Sequence, residues 1–369
     1  MKIVIAPDKF KGSLTANEFC DIVQAELLNQ SPELEIISIP LADGGEGTCD
    51  LLIQLSDGSR VEIDVLDPLQ RKIRSSYGIS GDGNTAFIEM AKASGLQLLK
   101  PAERNCTITS TYGTGQLIKA ALDEGVTEIV IGIGGSATND AGLGMAKALG
   151  YQLFSHAGDE LEGMGTDLTR LSHIDSSKAH PKIRQTKFIT LCDVNNPLYG
   201  PEGAAFVFAQ QKGANDDEIK MLDKGLQNFA TIACKMNCGI DFPGAGAAGG
   251  LGAGTKLFLN ASIQTGIDFL ITNTHLEEKI KEADVVITGE GKLDMQTLSG
   301  KVVSGVAALA RKYNKKLIAI AGSCELTRNQ IIQMGISQVI TLRDDTTSES
   351  EAVRMATTQL RAKAALIDL

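Results

Sequence analysis

No run of lysine or arginine interrupts this 369-residue chain, whose formal net charge is −10. Nucleic acid and anionic membrane are therefore not expected partners, although a local cationic pocket for an anionic metabolite stays open. No C-x-x-C spacing joins the seven cysteines, Cys20, Cys49, Cys106, Cys192, Cys234, Cys238 and Cys324. That argues against a disulfide framework or a zinc site, and Cys234 and Cys238, one helical turn apart, read as ordinary packing. The first residues lack the apolar stretch of a signal peptide, and no segment approaches the ~20 apolar residues of a membrane span, so a cytoplasmic protein is expected. The Walker A pattern is missing too, since Gly291-Lys292 is followed by Leu293 and Gly300-Lys301 by Val302. Kinase signatures of the His-Arg-Asp and Asp-Phe-Gly type are absent, and the four histidines have neither metal-ligand spacing nor a nucleophile motif.

What is present points to a two-domain α/β protein. The length exceeds what one hydrophobic core sustains, and 43% apolar residues supply a sizeable interior. Ile3-Val4-Ile5-Ala6 reads as a buried strand, and Thr15-Ala16-Asn17-Glu18 has the capping-box form of a helix start, with Phe19, Ile22, Val23 and Leu27 on one face. Ile36-Ile37-Ser38-Ile39 is the next strand. Near the other end, strands are expected at 284–288, 317–321 and 338–342, with helices around 302–313 and 328–334. This alternation is the doubly wound parallel pattern, so residues 1–60 plus 275–369 are expected to form one α/β domain. Residues 61–274 read as an inserted mixed α+β domain, beginning with an antiparallel meander over 60–65, 72–79 and 85–90. The stretch 156–187 reads as an exposed excursion.

Five constellations carry chemistry. Asp8-Lys9-Phe10-Lys11-Gly12-Ser13 follows the first strand, and ligands of open α/β sheets bind at such ends, so Lys9 and Lys11 suit an anion while Asp8 suits a metal or a hydroxyl. Asp43-Gly44-Gly45-Glu46-Gly47-Thr48 closes the second strand, with two carboxylates fit for Mg²⁺ or a polyol, or simply a turn into a helix. Gly132-Ile133-Gly134-Gly135-Ser136-Ala137-Thr138-Asn139-Asp140 matches the loose dinucleotide fingerprint. Its polar continuation suits a triphosphate and metal at a helix start, and N-cap duty for Thr138 or Asn139 explains the same letters. Cys192-Asp193-Val194-Asn195-Asn196-Pro197 presents Asp193 at a strand end as a proton acceptor or as an Asx turn. Thr288-Gly289-Glu290-Gly291-Lys292-Leu293-Asp294 is read as a second backbone-rich loop following its strand. The glycine-dense segment 243–256 suits a flexible lid or hinge, or a surface of close backbone approach.

Together with Gln211-Lys212-Gly213-Ala214, these motifs resemble the type I glycerate kinase family over essentially the whole chain and in the same order. Departures are Lys9, where Ser is common, and Lys292-Leu293-Asp294, where Arg-Ile-Asp is common. The resemblance implies ATP-dependent, Mg²⁺-assisted phosphorylation of D-glycerate, 2-phosphoglycerate being the usual product, and a two-domain fold with a Rossmann-like half. A homodimer is compatible with it. Chemistry then assigns Gly134, Gly135, Ser136, Thr138, Gly289, Glu290 and Gly291 to the nucleotide, in a cleft between the domains. Asp140 and Asp43 fall to metal, Lys9, Ser13, Asp43 and Glu46 to substrate, Lys11 to the substrate carboxylate or the transferred phosphoryl group, and Asp193, then Asp8, to the base. The rival classes are an NAD(P)-linked hydroxyacid oxidoreductase, against which the polar continuation speaks, and a non-catalytic metabolite-binding protein.

Overall fold

The computed structural model describes all residues except Asp43, Glu46, Gly300, Lys301 and 344–347. It is a mixed α/β structure with parallel sheets, and its contacts divide the chain into two compact units, Met1–Asp43 with Gly266–Leu369, and Gly44–Thr265.

The first unit begins with β1 (Lys2–Ile5), a helix over Ala16–Gln30 and β2 (Glu35–Ser38). Thr15 caps that helix by the expected reciprocal bonds with Glu18, and Phe19, Ile22, Val23 and Leu27 are buried on one face. The chain then builds the second unit: β3 (Ser59–Leu66), β4 (Lys72–Ile79), β5 (Thr85–Glu89), β6 (Glu128–Gly132), β7 (Gln152–Ser155), β8 (Leu171–Asp175), β9 (Lys187–Leu191) and β10 (Ser262–Gln264). It returns to the first unit with β11 (Val285–Leu293), β12 (Lys316–Cys324) and β13 (Gln338–Thr341).

The first unit's five-stranded sheet has the order β13-β12-β11-β1-β2, every neighbouring pair parallel. The connection from β1 leads to β2 on one side and the connections from β11 lead to β12 and β13 on the other, so the order reverses between β1 and β11. Crevices open at the carboxyl ends of strands at such reversals. The second unit's sheet has the order β10-β9-β6-β5-β4-β3, with β3-β4-β5 antiparallel, as their alternation predicts, and β5, β6, β9 and β10 parallel.

Two expectations are corrected. The stretch 156–187 is no exposed excursion, because Leu161, Leu168, Leu171, Ile174 and Ile183 are buried in the second unit's core and β7 pairs with β8. Isolated leucines in a polar context gave no periodic signal, yet each finds the core through tertiary packing. The second concerns β11 and β12, which run well past the predicted strand ends. Pairing continues through Glu290↔Ala321 to Leu293↔Cys324, so Gly289, Glu290 and Gly291 lie in a strand and not in a loop after it. An extended backbone tolerates those glycines because the partner strand holds them. An added Cβ at Gly289 would come within 2.3 Å of the Ile320 carbonyl oxygen.

Candidate active site

In the first unit, β1 stays beside β11 beyond its formal end: the N–H of Ala6 donates to Ile287 O and that of Asp8 to Gly289 O, each at 2.7 Å. This fixes Asp8 beside Gly289 and Glu290. After Asp8 the chain makes a tight turn in which Phe10 and Leu14 exchange backbone bonds, and the Ser13 hydroxyl donates to Phe10 O at 3.1 Å. The turn lies beside Gly291, where an added Cβ would make ordinary contact with Lys11 N at 3.5 Å.

A cavity of about 840 Å³ opens there, lined by Asp8, Lys9, Lys11, Ser13, Glu290 and Gly291. Six of the predicted site residues thus meet in one place at the carboxyl ends of β1 and β11. Its volume is that of a small-molecule site. Asp8 and Glu290 are buried carboxylates. Asp8 accepts the Lys9 N–H at 2.7 Å, and Glu290 accepts the Thr297 hydroxyl at 2.6 Å. The ammonium of Lys292 pairs with Glu325 at 2.8 Å. Arg343, which the sequence did not single out, also lines the cavity. Acids beside cations suit a ligand carrying hydroxyls and an anionic group together.

In the second unit, β6 ends at Gly132, and Gly134 and Gly135 are exposed while Ser136, Thr138, Asn139 and Asp140 are buried. The loop is pinned by Leu96 N–H donating to Gly135 O, by Ala137 N–H to Ser94 O, and by the Thr109 hydroxyl to Ala137 O. Among the described residues, no acceptor meets the N–H groups of Gly134, Gly135 or Ser136. Beneath the loop Lys212 is buried, its ammonium donating to Ser136 Oγ at 2.6 Å and to Thr138 O at 2.8 Å.

The expected helix start is not where the motif placed it. Ala141 and Gly142 adopt positive φ, 49° and 77°, and the helix begins only at Leu143, running to Ala148. Left-handed backbone cannot continue into a right-handed helix, so residues 136–140 lie in irregular structure rather than at a helix dipole. Asp140 is enclosed, its carboxylate accepting N–H and hydroxyl of Thr111 at 2.8 and 2.7 Å and N–H groups of Gly142 and Gly144 at 3.2 Å each. Burial pushes its pKa up against those four donors. A carboxylate so engaged braces the loop at the position where a metal contact was expected of Asp140.

The motif 43–48 arrives at the same loop. Asp43 and Glu46, expected to meet substrate or metal, lie outside the described residues. Gly44 and Gly45 press on β6's end: an added Cβ at Gly132 would come within 2.7 Å of Gly44 O, and one at Gly134 within 3.2 Å of Gly45 Cα. Glu89, missed in the sequence, sits at the end of β5 opposite Gly132 and accepts the Cys49 N–H at 2.7 Å, tethering the start of the helix Thr48–Leu55. Burial raises its pKa.

Asp193 stands two residues beyond Leu191, which pairs with Gly132, so it shares the sheet edge from which the 132–140 loop departs. The glycine-dense segment is a surface of close approach rather than a lid. Gly249, at φ 67°, lies so near Thr138 that a Cβ would come within 2.1 Å of its carbonyl, and Gly254 is equally close to Ala141 O at 2.2 Å. The nucleotide residues proposed from sequence therefore fall into both units: Gly134, Gly135, Ser136 and Thr138 in the second, and Gly289, Glu290 and Gly291 in the first. Among the described residues, no group of three or more His, Cys, Asp or Glu is arranged to hold a metal.

The glycerate kinase family model matches residues 3–368. A glycerate kinase of Haemophilus influenzae is 45% identical over 342 residues, covering 92% of this chain and 90% of the relative. A glycerate 2-kinase of Escherichia coli is 44% identical over 358 residues, 96% of this chain and 94% of its own. A crystal structure of glycerate kinase 2 from Salmonella typhimurium LT2 is similar throughout, with a TM-score of 0.89, 41% identity and coverage of 99% and 96% of the two chains.

Proposed function

The chain belongs to the glycerate kinase family and is an enzyme that phosphorylates glycerate, and from that premise we propose that ATP is the donor and 2-phosphoglycerate the product. The observation that carries this reading is the exposed backbone of Gly134 and Gly135 with the N–H of Ser136, three donors with no partner among the described residues, set above a buried ammonium. Such an arrangement favours phosphate oxygens and needs no Walker lysine. The Escherichia coli relative's name, glycerate 2-kinase, supports transfer to the 2-hydroxyl.

Glycerate is assigned to the cavity of the first unit. Lys11 and Lys9 hold its carboxylate, Ser13 and Asp8 its hydroxyls, and Glu290 and Gly291, expected from sequence to meet the nucleotide, shape the wall instead because they line this same cavity from β11. Asp43 and Glu46 are kept as further substrate contacts, and Asp43 as a contact to the cation. Asp193 is the proposed base, accepting the proton of the attacking hydroxyl, because its register places it at the edge that carries the phosphate loop. Asp8 is the second candidate. Mg²⁺ would enter with the nucleotide, with Asp43 the residue kept to hold it, and would supply neutralisation of phosphate charge. Catalysis then consists mainly of positioning and charge neutralisation. The first unit is read as a Rossmann-like half and the second as a domain inserted into it, in a cytoplasmic enzyme.

Phosphorus NMR of the product from D-glycerate and ATP-Mg tests the reading. A resonance coupled to the C2 proton is expected. A C3 phosphomonoester would overturn the regiochemistry, and no ADP release would overturn the donor.

A further inference from the structure

We propose that Lys212 is a positioning residue for phosphoryl binding: its buried ammonium fixes the Ser136 hydroxyl as a donor directed at a phosphate oxygen on the 134–136 backbone. The inference rests on the assignment of that loop to the nucleotide.

An ammonium has three protons and no lone pair, so at the 2.6 Å contact Ser136 Oγ must accept. The hydroxyl proton is then left for another acceptor, and none meets it among the described residues. The second bond, to Thr138 O at 2.8 Å, holds the loop's far side. Both partners are neutral, and among the described residues no carboxylate lies within ion-pair distance of Lys212. Burying a cation against neutral acceptors is costly unless a charge arrives to match it. A phosphoryl group on the free N–H groups of Gly134, Gly135 and Ser136 supplies that charge one hydroxyl away. Gly213, at φ 95°, turns the chain immediately after Lys212 and packs against Arg104 O, where an added Cβ would clash.

The surrounding groups make the charge adjustable. Burial lowers the Lys212 pKa to about 8, with Cys106 and Asp140 opposing the shift. The Cys106 thiol is itself pushed up to about 11 and is neutral at working pH, Glu218 adding to that rise. Asp140, braced by four donors, supplies a counter-charge without contact, and Arg104 adjoins from the segment before Cys106. Once deprotonated, the lysine can accept from Ser136, and the outward donor is lost.

The test measures ATP and inorganic tripolyphosphate binding by calorimetry, alongside steady-state kinetics with ATP and glycerate, on the whole enzyme. K212M is expected to weaken both ligands by about 10–100-fold at pH 7.5 while KM for glycerate stays within about twofold. S136A is expected to lose a similar factor, and the double variant little more, as befits two residues acting as one. Wild-type affinity should fall as pH rises through about 8, and ATP binding near pH 8.5 should take up as much as about one proton, an uptake absent from K212M. If K212M does not fold, S136A retains the lysine and still carries the test through its loss of affinity. Unchanged ATP affinity in S136A, additive losses, or a shift confined to KM for glycerate overturns the inference. An active wild type with unchanged S136A sinks this inference alone, whereas a wild type that neither binds ATP nor phosphorylates glycerate removes the functional reading beneath it.

Discussion

Two acids compete for the proton at the residue scale. Asp193→Asn keeps the shape of the side chain and removes its basicity, so kcat should fall by roughly 10²–10⁴ with the unfolding midpoint nearly unchanged. Asp8→Asn makes the opposite assignment testable, since Asp8 lines the cavity itself. Near-normal turnover in Asp193→Asn together with collapse in Asp8→Asn transfers the role to Asp8. Lys212 makes a separate statement about stability. Its folded pKa of about 8 lies below the ordinary 10.5, so the unfolded chain holds that proton more firmly. Stability from this residue is therefore lowest below about pH 8 and rises toward pH 10.5. Melting curves of wild type and K212M across that window should converge upward in the wild type's favour, and parallel curves would contradict the buried charge. Lys212 also marks where the sequence fell silent. Gln211-Lys212-Gly213 reads as a surface turn, and its burial depends on Ser136 and Thr138, 76 and 74 residues away.

At the scale of elements, glycine carries two distinct meanings. Gly83 and Gly249 both have positive φ, 74° and 67°, yet an added methyl meets nothing at Gly83 and meets Thr138 O at 2.1 Å at Gly249. G83A should cost about 1 kcal/mol from backbone strain alone, and G249A more than about 3 kcal/mol, read from urea unfolding. Equal losses would mean that the segment yields, restoring the lid reading. Local signals were legible where the physics is local. The Thr15–Glu18 box and the alternation in β3, β4 and β5 each act within a few residues, and the folded chain keeps them. The helix start after the 132–140 motif was misplaced because Ala141 takes a positive φ where its carbonyl lies against Gly254, a contact no nearby letter announces. The extension of β11 was hidden for a similar reason: Gly289 and Gly291 signal a loop until β12 pairs with them.

For the whole molecule, the assignments divide the ligands between two compact units. Hydrogen exchange should then show ATP slowing amides around 133–138 and glycerate slowing those around 8–13, each with little effect on the other stretch. Glycerate protection at 133–138 would exchange the two assignments. The site residues were legible by type because charged and small residues cluster after strands. Their grouping was not, since only the sheet order shows that Asp8, Lys11 and Glu290 share one cavity.

The pairing of Ile3 with Val285 has a consequence for the birth of the chain. A ribosome adding about 5–20 residues per second needs roughly 15–60 s to deliver this second neighbour of β1, long after β2 can pair with its other side. During that interval the side of Ile3, Val4 and Ile5 that will face β11 awaits a mate, while the 44–265 stretch is complete and able to collapse. Nascent-chain stalling before codon 285 should therefore recruit trigger-type chaperones to the leading residues, and release of the full polypeptide should dismiss them.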